Sequence, residues 1–440
     1  MPEIQSFTGF RYNLAKVGPL SDVVAPPYDV IDEPLNDELL AKSPYNVVRL
    51  ILDKMLPSDD AENNRYTRTA KTLKEWKENG VLQKDKNAAI YVYHQIYTVG
   101  GREYVRKGFM CRCKAVPFGE GMIFPHEITM SGPKLDRYML TTACKMNFSQ
   151  IFGLYPDPEN VAQNILEAAV QKSGEPPLEA TDHLGVLNRM WIISDPVVIA
   201  DVVKVMGDKP IFVADGHHRY ETACNYRKHV AEQGLLTPDH PANYVLMVCI
   251  AMEDPGLIVQ PTHRLFPAAH PGMTPELTKD ELVQKLGDCF EVEEIGTSPD
   301  AAHAVWERIE LENDQSVLGF YTAKDGKWVL AKLTEAGREK MLKITADHHP
   351  EWGELGVSLL HRLVVETLLN QPDHPKPTYV HLVEEVVSEL KTGDYPLAAL
   401  VMPATVDQIR NLSLLRERMP AKSTYFYPKL LTGLVFNPLE

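Results

Sequence analysis

Residues 211–220 read IFVADGHHRY, and this stretch limits the possible folds more than any other part of the chain. An apolar, β-branched and aromatic run reads as a buried strand. Asp215-Gly216 ends it, and the pattern from 218 to 232 is helical. A strand that turns straight into a helix belongs to a sheet covered by that helix, so the chain is expected to build layered α and β structure. The flanking segments agree. Residues 189–194 read as strand, 196–206 as helix and 210–214 as strand, giving the order strand–helix–strand–turn–helix.

Upstream, residues 65–80 carry Tyr66, Ala70, Leu73 and Trp76 near one stripe, with Gly80 as a stop, and predict a helix. Residues 88–97 and 104–113 alternate on either side of Gly100-Gly101 and predict a β-hairpin. Residues 151–155 read as strand, 158–173 as helix and 244–252 as a fully buried strand. Beyond about residue 270, amphipathic helices, one of them at 355–370, alternate with short strands. The expected class is mixed α+β in three regions, 1–150, 151–270 and 271–440.

Composition sets the outer limits. With 440 residues, 44% hydrophobic and 24% charged, the chain can bury a large core, which excludes wholesale disorder and a disulfide-stapled miniprotein. Asp plus Glu number 60 against 45 Lys plus Arg, a formal charge of −15, which opposes docking on nucleic acid or anionic lipid. The 6 cysteines form no CxxC pair, a usage that fits a reducing compartment. Residues 1–5 lack the basic start of a signal peptide, and the longest apolar run is about half of a membrane span. A cytoplasmic protein with no membrane or nucleic-acid partner is expected.

Five groups of residues carry candidate chemistry. In the first, Asp215, Gly216, His217, His218 and Arg219 sit at the carboxyl end of a strand and the start of a helix. The N–H groups and dipole of a helix start favour an anion, above all phosphate, and Arg219 can fork onto its oxygens. Asp215 is a candidate metal ligand or orienting group, and it equally suits an Asx-type turn in which it caps the helix. In the second, residues 124–137, Glu127 is a candidate general base, with Asp136 as the alternative. Lys134 and Arg137 are candidate phosphate neutralisers, and His126 and Thr129 candidate pocket residues. A charged surface loop would read the same way.

The third group is Pro26-Pro27-Tyr28-Asp29, whose rigid turn suits a pocket wall, with Asn46 and Arg49 downstream. Thr262, His263 and Arg264 form the fourth. The fifth is the tail, where Lys422, Ser423, Thr424, Tyr425 and Lys429 suit either a pocket cover or a docked strand. No Walker loop, GxGxxG, HExxH or GxSxG is present.

The segments APPYDVI, HEITMSGPKLDR, ADGHHRYETA, PTHR and KSTYFYPK with TGL resemble a bacterial and archaeal family known as domain of unknown function 1015. The resemblance spans nearly the whole chain. Locally, over about 189–226, the DGHHR turn also resembles the phosphate-binding turn of the ParB/sulfiredoxin superfamily, which includes free-serine kinases. That resemblance implies a ParB/sulfiredoxin-like core flanked by further α+β regions. It also implies phosphate binding by Gly216, His217, His218 and Arg219, with Asp215 orienting the site or holding a metal.

Taken together, these readings predict a phosphotransferase that moves phosphoryl from ATP or ADP, with Mg²⁺ at Asp215, to a small hydroxyl compound such as a free amino acid. A metal-assisted phosphatase and a nucleotide sensor without turnover are the alternatives.

Overall fold

Strands that are apolar along their whole length need cover on both faces, and the structure supplies it. The computed structural model describes residues 2–129, 131–268 and 276–440. The chain divides into two compact units. The first takes Met1–Pro125, Thr129–Ile258 and Pro428–Glu440; the second takes His126–Ile128 and Val259–Tyr427.

The first unit holds a nine-stranded sheet. Its strands are β1 (Ile4–Gln5), β2 (Ile90–Val99), β3 (Arg102–Lys114), β4 (Ile123–Pro125), β5 (Ile151–Tyr155), β6 (Leu178–Thr181), β7 (Leu187–Ile193), β8 (Ile211–Asp215) and β9 (Tyr244–Ala251). They lie in the order β4-β8-β5-β9-β3-β2-β7-β6, with β1 on β3. Every residue of β9 is buried, as its apolar run predicts, and it runs parallel to β5 and antiparallel to β3. The expected hairpin is β2–β3, paired from Tyr91–Met110 to Val99–Arg102.

Helices α1 (Arg65–Glu78), α2 (Ser131–Cys144), α3 (Val161–Ser173), α4 (Pro196–Met206) and α5 (His217–Glu232) are the longest of the unit. Ala162 and Leu166 of α3 and Val202 and Met206 of α4 join the core formed by Ile151, Ile211, Val213 and Met247. The order β7–α4–β8–α5 is the strand–helix–strand–turn–helix series read from the sequence.

The second unit holds a six-stranded sheet of β10 (His263–Phe266), β11 (Phe290–Thr297), β12 (Val317–Thr322), β13 (Lys327–Leu333), β14 (Thr378–Val380) and β15 (Leu397–Leu400). The order is β11-β13-β12-β15-β10-β14. Val305 and Ile309 of α6 (Ala302–Glu312) and Val383, Val386 and Leu390 of α7 (Val383–Leu390) pack into its core. The chain is therefore mixed α+β, as expected.

Two details differ from the sequence reading. Strands before and after residue 150 share one sheet, because β5 and β8 must pair with each other and with β9 and β4 to bury their faces, so no unit ends there. The second unit resumes at Val259, and the boundary expected at 270 lies outside the described residues. The helix expected at 355–370 is mostly a π-helix, Leu359–Leu368, in which the Leu369 N–H donates five residues back to Val364. Apolar spacing does not separate α from π winding. Among the described residues no helix is long and apolar enough to cross a membrane.

Gly256 fixes how closely the segment after β9 lies on β3. A Cβ there would sit 2.4 Å from the Val105 carbonyl oxygen and 2.5 Å from the Arg106 nitrogen. Gly256→Ala should therefore lower stability by about 1–3 kcal/mol through forced backbone displacement. Urea denaturation checks this; an unchanged midpoint would mean that the two backbones separate without cost.

Candidate functional site

The turn after β8 is shaped by register and by one glycine. The pairing of β8 with β5 slips between Val213 and Asp215, and such irregularities re-aim the side chain at a strand end. Gly216 follows at φ +92°, left-handed backbone that an L side chain resists. It is the N-cap of α5, and no side chain caps the helix, so Asp215 is not the capping residue. The Tyr220 N–H donates to the Gly216 carbonyl at 2.9 Å. The Tyr220 hydroxyl in turn bonds the Val116 backbone at 2.9 and 3.1 Å, fastening the helix start to the sheet.

Cations surround this turn. Arg219 lies directly over Gly216, its guanidinium 3.0–3.1 Å from where a Cβ would stand, and donates to the Gln150 carbonyl at 2.5 Å. Asp215 lies 3.5 Å from Arg219 and accepts from Lys429 Nζ at 2.8 Å. Burial pushes the Asp215 carboxyl up, but Lys429 and Arg219 outweigh it and hold the group below the ordinary carboxylate range. The tail delivers Lys429: Gln95 donates to its carbonyl at 3.0 Å, and Arg106 donates to that of Pro428. His217 is buried, and its charge when protonated also favours the Asp215 carboxylate.

The PPYD turn and α2 supply more of this cluster. Arg137 lies 3.9 Å from the centre of the Tyr28 ring and donates to the Ile51 carbonyl at 2.8 Å. Burial pushes the Tyr28 hydroxyl up to about 12, helped by Asp29, while Arg137 and Arg219 pull it back. Arg137 and Arg219 also line one small cavity of about 40 Å³ with Ser149 and Thr222. Asp136 is bound by Arg65 and Arg137 and accepts from the Tyr66 hydroxyl at 2.8 Å. Two cations and a hydroxyl occupy its oxygens, an arrangement that positions Arg137.

Lys134 and Thr129 are arranged differently. Both converge on Glu221, at 3.0 and 2.6 Å, and Lys134 lines a separate groove of about 580 Å³ with Phe118, Arg227 and Lys228. Asn46 and Arg49 hold backbone, Asn46 through the Asp22 and Val24 carbonyls and Arg49 through that of Leu40.

His218 stays with the first unit, on α5, and most of the remaining candidates fall in the second unit. His126 is buried and pairs with the Thr424 hydroxyl at 2.8 Å; Glu127 stands 3.9 Å from it. Ser423 donates to the Pro420 carbonyl, and Tyr425 stacks on His381 at 3.5 Å. Arg264 is fully buried and donates to the Thr262 and Lys422 carbonyls. His263 receives the Val401 N–H, and burial pushes its imidazole down to about 3.

The residues do not fit a resident Mg²⁺. Asp215 is committed to Lys429 and Arg219, and among the described residues no three His, Cys, Asp or Glu side chains gather as metal ligands. The sequence reading also missed Arg65, Tyr66, Gln150, His361 and Tyr379. They lie far along the chain from the motifs they support, and nothing in local spacing marks them.

These features define a two-unit α+β protein whose first unit presents a glycine-opened helix start ringed by cations. The chain belongs to the family described as Protein of unknown function (DUF1015), whose pattern matches residues 4–358. No curated protein matches it in sequence. Among solved structures, a free serine kinase variant in complex with AMP gives a TM-score of 0.33 at 12% identity, covering 69% of this chain and 84% of that one. A variant in complex with ADP gives 0.32 at 12%, with the same coverage. A conserved hypothetical protein from Pyrococcus furiosus gives 0.31 at 12%, covering 70% and 89%. At such scores the likeness transfers neither fold nor activity.

Asp215→Asn tests the charge balance at the turn. It leaves Lys429 and Arg219 without their shared counter-charge and should cost about 2–4 kcal/mol at pH 7. Because the carboxyl is held down in the folded protein, its contribution is complete above the ordinary carboxylate range and fades as pH falls below about 4. Urea titrations of both proteins at pH 7 and pH 3 should show the gap closing in acid. A gap independent of pH would assign the loss to shape.

Proposed function

We propose that the chain is a nucleotide-dependent phosphotransferase acting on a small hydroxyl compound, and that the turn from Asp215 to Arg219 binds phosphate. The observation that carries this reading is the surplus of cations fixed around an uncapped, glycine-opened helix start. Arg219 and Lys429 share one carboxylate, Asp215, while Arg65 and Arg137 share another, Asp136. Even with Asp29 beside Tyr28, the cations outnumber the carboxylates, an imbalance that a phosphate group would reduce.

Phosphoryl transfer asks a protein mainly to position the group and neutralise charge on its oxygens. Asp215 holds Arg219 and Lys429 in place before a ligand arrives, so little reorganisation is needed as charge develops. Gly216 has no side chain of its own, so the Arg219 guanidinium lies directly on the turn where phosphate oxygens would arrive. ATP or ADP is the proposed donor.

Calorimetric titration with ATP and ADP tests the phosphate assignment. Arg219→Ala should weaken nucleotide binding by about 2–3 kcal/mol, the loss of a charge-assisted contact. Unchanged affinity would remove Arg219 from the site.

A further inference from the structure

Arg264 is a second problem in charge balance, independent of the phosphate reading. Its side chain is fully buried in β10, where an arginine ordinarily meets a carboxylate. Here NH1 and NH2 donate to the backbone carbonyls of Thr262 and Lys422, and the buried Nε–H has no acceptor among the described residues. Glu127 acts on it through space, and no ion pair joins the two among the described residues. The ring of Tyr379 stands 5.6 Å from the guanidinium and offers only a weak electrostatic substitute. Burying a cation this way is costly unless an anion completes the site.

The surroundings are those of a binding site rather than a core. Cross-strand partners share a face, so Arg264 lies beside Tyr379 on β14 and Ala399 on β15. Thr262 and Phe266, two residues either way, lie on the same side. His374 packs edge-on against Phe266 at 5.6 Å and stacks with His361 at 5.5 Å, while Thr262 meets His381 at 3.4 Å. His263 points to the opposite face, against Trp306 at 4.8 Å, and is no part of this group. Tyr379, His361, His374, His381 and Glu127 are all partly exposed, so solvent reaches the groups around the buried arginine. His361 also sits on the π-helix, a winding often found at functional positions.

We propose that Arg264, with Tyr379 and His361 beside it, is a carboxylate-binding site of the second unit. The charge count favours a carboxylate over a phosphate. Arg264 brings one positive charge, burial keeps His361 neutral, and the partly exposed Glu127 offsets the guanidinium through space without pairing with it. What is left to be matched is less than one full charge, so a planar monoanion suits the site and a phosphate dianion overcharges it.

The test uses the full chain, with acetate as probe and chloride and inorganic phosphate as controls at matched ionic strength. Acetate should raise the melting temperature beyond chloride and phosphate. Arg264→Lys, which keeps the charge but loses the fork, should raise the acetate dissociation constant tenfold or more. If Arg264→Lys does not fold, His361→Phe replaces it and should weaken acetate at least fivefold. A wild-type response to phosphate alone, no acetate-specific response, or undiminished acetate binding in the folded variant would each overturn the proposal. ATP titrations in parallel report the first unit's site separately, so failure of one assignment does not pass for failure of the other.

Discussion

Lys429 and Arg219 meeting on Asp215 is the interaction on which the organisation of the first unit turns. It joins a strand end, a helix start and the C-terminal tail through one buried carboxylate. Arg106 and Gln95, from the β2–β3 hairpin, hold the carbonyls of Pro428 and Lys429 and so bring the tail to Asp215. The Gln150 side chain steadies the next step by donating to the Leu431 carbonyl at 2.9 Å, while its own carbonyl receives Arg219. One residue thus connects the tail to Arg219. Such an arrangement spends folding energy to hold cations close together, and that is the condition an anion site needs.

The parts of the fold with a clear period were legible. The apolar run of β9, the Gly100-Gly101 hairpin and the β7–α4–β8–α5 series all follow from spacing and turn residues. Sheet membership was not, because which strands lie side by side depends on long-range pairing that alternation cannot encode; β4 and β8 are neighbours although α2, β5 and α4 lie between them in sequence. The π-helix was hidden because a wide winding buries nearly the same apolar residues as an ordinary helix.

The candidate residues were easier to find than to sort. Residue type and turn position singled out Tyr28, Arg137, Asp215, Arg219 and Lys429, and the structure brings these together in the first unit. His126, Glu127, Arg264, Thr424 and Tyr425 belong to the second. Nothing local in the sequence separates the two sets, since Glu127 and Arg137 lie in one motif and Tyr425 and Lys429 in another. Asp136 illustrates the same limit. As a sequence position it is a candidate base, and only its three partners, Arg65, Tyr66 and Arg137, give it a positioning role.

The most direct measurement of the central claim is a crystal structure of the full chain grown with ADP. The account predicts phosphate oxygens within hydrogen-bond reach of the Arg219 guanidinium and of the backbone at the start of α5, with Lys429 still beside Asp215. Nucleotide bound elsewhere on the molecule, with Arg219 left on the Gln150 carbonyl and no phosphate at the turn, would contradict it.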